Sequence, residues 1–309
     1  MYHRFNESKY PSTNIQMNIF EEQVNIIKRS GYKFLNPNNL HKIYDEEKLE
    51  KTILLSIDDG YDSFYQHAWP YLKNNQIPFL IFISTEAVGK KGYMGWKEIK
   101  EIEKYDYVTI GNHSHSHDYL VNFSYDEFKK DIEKSIKIFK DNLGYNPKFF
   151  SYPFGEWDLV QKKFISKNFD FGFGQHSGVI DLNKDKYELP RFPINEKYGE
   201  IKRFKSILKT LPFPYENIFP DDRYLTESNN PPEVKVKFFD NLINIKNINC
   251  YSNEGNIWKK SNIEIINESE LLIILREKFK SERGRINCSL QSKEGKWRWL
   301  GIQYVIAGY

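Results

Sequence analysis

The segments Ser-Ile-Asp-Asp-Gly at 56–60 and Gly-Asn-His-Ser-His-Ser-His at 111–117 supply two adjacent carboxylates, Asp58 and Asp59, and three imidazoles within five residues. These are the residue types from which a metal site with its own base is built. Two imidazoles and one carboxylate leave positions open on a divalent ion, and an open position separates a catalytic site from a closed structural one. The second carboxylate is then free to take a proton from water. Acidic pairs alone are common as solvated groups or helix caps, and imidazole runs as surface clusters. What carries the metal reading is that both segments occur together, each just past an expected strand.

Those strands read directly from the pattern. Thr52 to Ile57 and Tyr107 to Ile110 are mostly apolar runs bounded by polar residues, as buried strands of an α/β protein are. Alternation along an extended segment would send neighbouring Asp58 and Asp59 to different tasks, and Gly60 lets the chain turn after them. The spacing of four between His113 and His117 suits one helical turn or a tight loop. Further along, helices are expected at about 18–30, with an Asn18/Glu21 capping box, at 64–75, which Pro70 must kink or restart, and at 96–104. Ser124 with Glu127 caps the clearest helix, whose face is Phe128, Ile132, Ser135, Ile136 and Phe139 and which Gly144 ends. Strands are expected at 32–35, 79–83, 149–152 and 169–173, with helices near 158–167 and 201–210. Strand after strand carries its unusual residues at its C-terminal end, as β/α barrels do.

Composition bounds the rest. A chain of 309 residues favours two domains. Its 45 Lys and Arg are nearly balanced by 42 Asp and Glu, a net charge of +3, so nothing points to nucleic acid. No apolar run reaches the ~18 residues of a membrane span, and the N-terminus lacks the basic-then-apolar plan of a secretory signal. Taken literally the chain reads as cytoplasmic; a removed upstream segment would make it periplasmic or extracellular. Residues 212–232 hold five of the thirteen prolines and read as a linker. Beyond them, apolar runs at 234–238, 263–266, 271–275, 286–290 and 297–305 are separated by polar turns, which suggests a small all-β, sandwich-like module. Cys250 and Cys288 either pair across that sandwich or stand as two thiols.

Together with Phe-Ser-Tyr-Pro-Phe-Gly at 150–155, the first two segments resemble, in order and spacing, the motifs of the NodB-like polysaccharide deacetylases, carbohydrate esterase family 4. The resemblance covers roughly residues 1–210. It implies a distorted (β/α) barrel, here residues 1–212, followed by a β-rich accessory domain at 213–309. It also implies metal-dependent hydrolysis of N-acetyl, sometimes O-acetyl, groups on an N-acetylated glycan. Carried over by position, Asp59, His113 and His117 would hold the ion, Asp58 would be the general base, and the Phe154 N–H, following Pro153, would donate to the oxyanion. The donor set suits Zn first and Co, Ni or Fe with little discrimination.

The third motif departs from the commonest pattern, which has an Arg holding the catalytic Asp where this chain has Ser151. The Tyr-Pro-Phe-Gly variant resembles instead the branch acting on β-1,6-linked poly-N-acetylglucosamine, in which the catalytic imidazole comes from the start of the domain. His3 would then protonate the leaving amine, with His176 as its rival. Arg191 either takes over the missing Arg's work by pairing with Asp58 or is a structural Arg at a strand end. His115 is expected to point away, and His41 and His67 to be structural. Trp96 and Trp157 lie near the site, Trp96 more as core. The C-terminal module either binds glycan, through Trp297 and Trp299, or covers a flank of the barrel. Two alternatives to a polysaccharide deacetylase are a non-catalytic carbohydrate-binding protein on this fold and a deacetylase of an intracellular sugar precursor.

Overall fold

The computed structural model describes residues 1–46, 51–239 and 245–308. Its centre is a curled sheet of five parallel strands in chain order, Ser56–Ile57, Phe79–Ile83, Val108–Asn112, Phe149–Ser151 and Phe171–Phe173. The Phe79–Ile83 run is buried at every position, as a strand covered on both faces must be. Helices Met17–Arg29, Trp96–Glu103, Tyr125–Leu143, Leu159–Asn168 and Ile201–Leu208 accompany it.

Two irregular segments extend the sheet toward a ring. Tyr2 bridges Ile57 in parallel at one edge, and Leu189 bridges Phe173 at the other. The two segments then meet, since the Ile194 N–H donates to the Met1 carbonyl at 3.0 Å. Closure thus comes from short bridges and single hydrogen bonds, and these segments carry His3 and Arg191.

Several local expectations are revised. Asn18 lies inside the first helix, which starts at Met17 after Gln16 and has no side-chain cap, so the Asn18/Glu21 box does not form. Pro70 restarts the chain: Phe64–Ala68 is a π-helical turn and Trp69–Asn74 an α-helix with Pro in its first turn. The Ser124/Glu127 box does form, and Gly144 ends its helix at φ 85°.

Residues 212–232 are not a linker. Leu211–Pro212 and Tyr224–Leu225 both pair in parallel with Trp297–Ile306, and Phe213 and Leu225 are buried in the C-terminal core. That module holds a sheet built on Asn249–Ser252, Arg283–Gln291 and Trp297–Ile306 and another of Tyr215–Phe219, Val234–Phe238, Glu270–Ile274 and Asn262–Asn267. Both contribute to one apolar cluster. Cys250 and Cys288 are register partners on neighbouring strands and form a disulfide, so they staple one sheet and are neither an inter-sheet bridge nor free thiols. Among the described residues no helix is long and apolar enough to cross a membrane.

Candidate active site

Asp58 and Asp59 end the Ser56–Ile57 strand, but extended alternation is not what separates them. Asp59 adopts a left-handed φ of 74°, followed by Gly60 at 73°, so the backbone reverses between the two carboxylates. Among the described residues, four of the seven non-glycine residues with positive φ, Asp59, Ser114, His117 and Phe154, lie in the three motif segments. Backbone strain concentrates where chemistry is proposed.

Asp59 faces the imidazoles. Its Oδ1 lies 3.3 Å from His113 Nε2 and 3.1 Å from His117 Nε2, and the two Nε2 atoms are 3.2 Å apart. Bonds of about 2.0–2.2 Å from one tetrahedral ion would put such ligand atoms roughly 3.3 Å from each other. Asp59 Oδ1 is buried and has no hydrogen-bond partner, the condition of a ligand atom awaiting a cation. His113 Nδ1 lies 2.7 Å from the Ser151 carbonyl, which can only accept, so the proton sits on Nδ1 and Nε2 keeps its lone pair for the ion. Burial would raise the Asp59 carboxyl, but the His113 and His117 imidazoles beside it and the nearby His3 hold it well below the usual range. The residues present fit a divalent ion.

The strand before the imidazoles runs on to Asn112, and the histidines sit on a loop rather than a helical turn. Asn112 Oδ1 accepts from the Ser114 N–H at 2.8 Å, and Ser114 Oγ accepts from the His117 N–H at 3.0 Å. Asp131, from the Tyr125–Leu143 helix, accepts the His115 and Ser116 N–H groups at 2.8 and 2.9 Å. Sequence reading missed Asp131. Its signal was position: a carboxylate three residues after Phe128 and next to Ile132, within the buried stripe.

Asp58 is fully buried and faces Arg191. Guanidinium nitrogens donate to its two oxygens at 2.7 and 2.8 Å, and one of them also donates to Ser151 Oγ at 2.8 Å. Arg191 Nε donates to the Gly174 carbonyl at 2.8 Å. The guanidinium that the usual motif places at position 151 thus enters from the closing segment, and the small Ser151 side chain receives it. Burial would raise the Asp58 carboxyl; the charges of Arg191, His113 and His3 and the Arg191 hydrogen bonds outweigh that and hold it below the ordinary value.

His3 follows Tyr2, whose carbonyl accepts the Asp58 N–H at 2.9 Å. It is partly buried among the site's charges. Burial lowers its pKa, Asp59 and Asp58 pull upward, and Arg191 and His113 add to the lowering. Phe154 has φ 57° and its ring lies edge-on to His117 at 4.8 Å and stacked on Tyr119 at 4.5 Å. Its N–H has no backbone partner among the described residues.

His176 is placed elsewhere. It lines a cavity between the barrel and the C-terminal module with Trp157, Arg223 and Trp299. Burial, with Arg223, Arg191 and Lys162, pushes its pKa down to about 3. None of Asp58, Asp59, His113 and His117 lines that cavity, which sets His176 apart from the ion cluster. Because the folded pKa is depressed, the stability tied to neutral His176 is present above about 6.5 and is lost as pH falls toward 3. His176→Gln is therefore expected to flatten the acid side of a stability-versus-pH curve, measured by denaturant melts.

The remaining candidates are structural in their contacts. His115 turns from the ion site to Thr85 Oγ1, 2.9 Å away, His41 pairs with Asp170, and His67 is exposed. Trp96 packs on Phe139, and Trp157 is buried, with Lys162 over its ring. Trp297 is exposed and Trp299 half-buried.

The family model described as polysaccharide deacetylase matches residues 45–168. A poly-β-1,6-N-acetyl-D-glucosamine N-deacetylase of Staphylococcus aureus is 27% identical over 208 residues, 62% of this chain and 72% of that protein. Among solved structures, the Streptococcus pyogenes deacetylase PplD in complex with acetate superposes at TM-score 0.62 and 21% identity, covering 67% of this chain and 96% of that one. IcaB from Ammonifex degensii does so at TM-score 0.59 and 23% identity, covering 67% and 94%. These two likenesses are of fold. Over residues 45–168, which hold Asp58, Asp59, His113 and His117, the chain is similar to the polysaccharide deacetylases.

Proposed function

We propose that this chain hydrolyses N-acetyl groups on an amino-sugar polysaccharide or oligosaccharide of the N-acetylglucosamine type, releasing acetate and a free amine. The observation that carries this is a buried carboxylate, Asp58, clasped at both oxygens by Arg191 beside the Asp59, His113 and His117 cluster. Those three residues would hold a divalent ion, zinc or alternatively cobalt, nickel or iron, which when bound makes water more acidic and polarises the acetyl carbonyl.

This chain's own groups do the rest. Asp58, kept ionised by Arg191, accepts the proton of the attacking water. The Phe154 N–H donates to the oxygen on which negative charge develops. His3 delivers a proton to the amide nitrogen as the C–N bond breaks, so that the amine leaves neutral. The water oxygen ends in acetate.

The S. aureus relative's polymer supports a β-1,6-linked glycan as the substrate class. An intact Asp58–Arg191 pair counts against a merely glycan-binding role, and the cross-strand disulfide favours an oxidising compartment outside the cytoplasm over an intracellular sugar precursor. We read the C-terminal module as sandwich-like, its two sheets sharing one core.

Incubating the zinc-loaded protein with β-1,6-linked N-acetylglucosamine oligomers should release acetate and primary amine in equal amounts. Binding of the oligomers without release of either product would contradict the proposal. His3→Gln is expected to lower kcat by about 10²–10⁴-fold, and His176→Gln to stay within about threefold of wild type. The reverse ranking would transfer the proton donor's role to His176.

A further inference from the structure

The strands Arg283–Gln291 and Trp297–Ile306 turn Ile286, Cys288, Leu290, Leu300, Ile302 and Tyr304 into the core of the C-terminal module. Alternation sends Arg283, Arg285 and Gln303 to the opposite face. That face lies on the third-motif loop of the barrel. Gln303 Nε2 donates to the Phe154 carbonyl at 3.0 Å and to the Gly155 carbonyl at 3.3 Å. Its Oε1 accepts from Arg285 Nε at 3.1 Å, which leaves the amide only one orientation, with its NH2 toward the loop. Arg283 places its guanidinium 5.1 Å from the Phe154 ring centre and 5.7 Å from that of Tyr119, and its Nε donates to Glu156 at 2.5 Å. Phe154, Gly155 and Glu156 are thus each held by a residue of the last two strands.

The loop needs holding. An aromatic residue at φ 57° sits in a backbone region that L side chains avoid, and such a conformation persists only where surrounding contacts over-determine it. Tyr119 and His117 bracket the Phe154 ring from the barrel side, but the carbonyls at 154 and 155 are fixed by Gln303. Fixing those two peptide planes fixes the residue whose N–H is offered to the acetyl oxygen.

The geometry points to Gln303 and Arg283 as positioning residues for hydrolysis: the C-terminal module is half of the mould that holds the Phe154 loop against His117, not a tethered glycan-binding unit. This rests on the deacetylase reading above. A displacement of about 1 Å at a reacting centre costs on the order of 10²-fold in rate, so the module's effect belongs in kcat.

The test uses the full-length, zinc-loaded protein with Gln303→Leu, which keeps bulk but donates nothing, Arg283→Met, Arg283→Lys and Trp297→Ala. Kinetics on β-1,6-linked N-acetylglucosamine oligomers are read with bound zinc, thermal melting and hydrogen exchange of the 152–157 backbone. Gln303→Leu and Arg283→Met are expected to lower kcat by about 10–10²-fold with KM and bound zinc near wild type, and to speed loop exchange. Arg283→Lys should recover much of the loss, and Trp297→Ala, exposed on the same strand, should match wild type. Either of the first two variants suffices if the other fails to fold. Wild-type kcat with wild-type loop exchange, or a loss confined to KM and shared by Trp297→Ala, would overturn the inference. Should wild-type protein release no acetate, the deacetylase reading fails by itself, and unchanged loop exchange in Gln303→Leu would still sink the positioning role.

Discussion

Asp58→Asn is expected to lower kcat for acetate release by about 10³–10⁴-fold while leaving bound zinc close to wild type. The size follows from removing a positioned general base at a step whose nucleophile must lose a proton. The selectivity follows from geometry. The ion cluster is made by Asp59, His113 and His117, and Asp58 has its oxygens committed to Arg191 instead. Asparagine keeps the shape and one acceptor for the guanidinium but cannot take a proton. Asp59→Asn should behave differently, losing zinc as well as rate, because the orphaned Oδ1 between the two Nε2 atoms is the atom altered. If both variants lost zinc equally, the division of work between the adjacent carboxylates would be wrong.

The second large effect belongs to Arg191. Arg191→Met leaves a fully buried carboxylate without its partner, which costs on the order of 3–5 kcal/mol when such a pair is broken from one side. Asp58 answers by rising in pKa, so the acid limb of kcat/KM should move to higher pH. The sign is set by the wild type, in which the Asp58 pKa is depressed. The pair's stabilisation is complete above the ordinary carboxylate value of 3.8 and is lost as pH falls below it through the folded value. Arg191→Lys keeps a cation but cannot reach both Asp58 oxygens and Ser151 at once, and should fall between the two. Combining Arg191→Met with Asp58→Asn removes the unpaired charge and should return part of the stability, measured by urea melts. An Arg191→Met protein with wild-type stability and an unmoved acid limb would contradict this account.

The parallel strands were legible because continuous apolar runs such as Phe79 to Ile83 leave little else for a chain to do. The ion ligands were legible because their types and spacing are uncommon together. Less could be read where one residue acts through another far away. Arg191 reaches Asp58 across 133 residues, on a segment that pairs through isolated bridges and has no periodicity to detect. Local signals also misled where tertiary pairing overrode them. Prolines from 212 onward suggested a break, yet Pro212 has a strand partner in Trp299, at the edge position where a missing N–H costs nothing. Asn18 and Glu21 have capping spacing, but the helix begins two residues earlier than that box requires, at Met17. The separation of Asp58 from Asp59 rests on a left-handed backbone at Asp59, which a Gly at 60 only hints at.

The central claim is that hydrolysis depends on an ion held by Asp59, His113 and His117. The most direct measurement titrates zinc into chelator-stripped, full-length protein while following bound zinc and acetate release from β-1,6-linked N-acetylglucosamine oligomers. The account predicts no release without zinc, a rise that reaches its plateau at one ion per chain, and loss of both binding and release in His113→Ala. Acetate release by the stripped protein at the plateau rate, or one tightly bound zinc with no acetate formed, would contradict it.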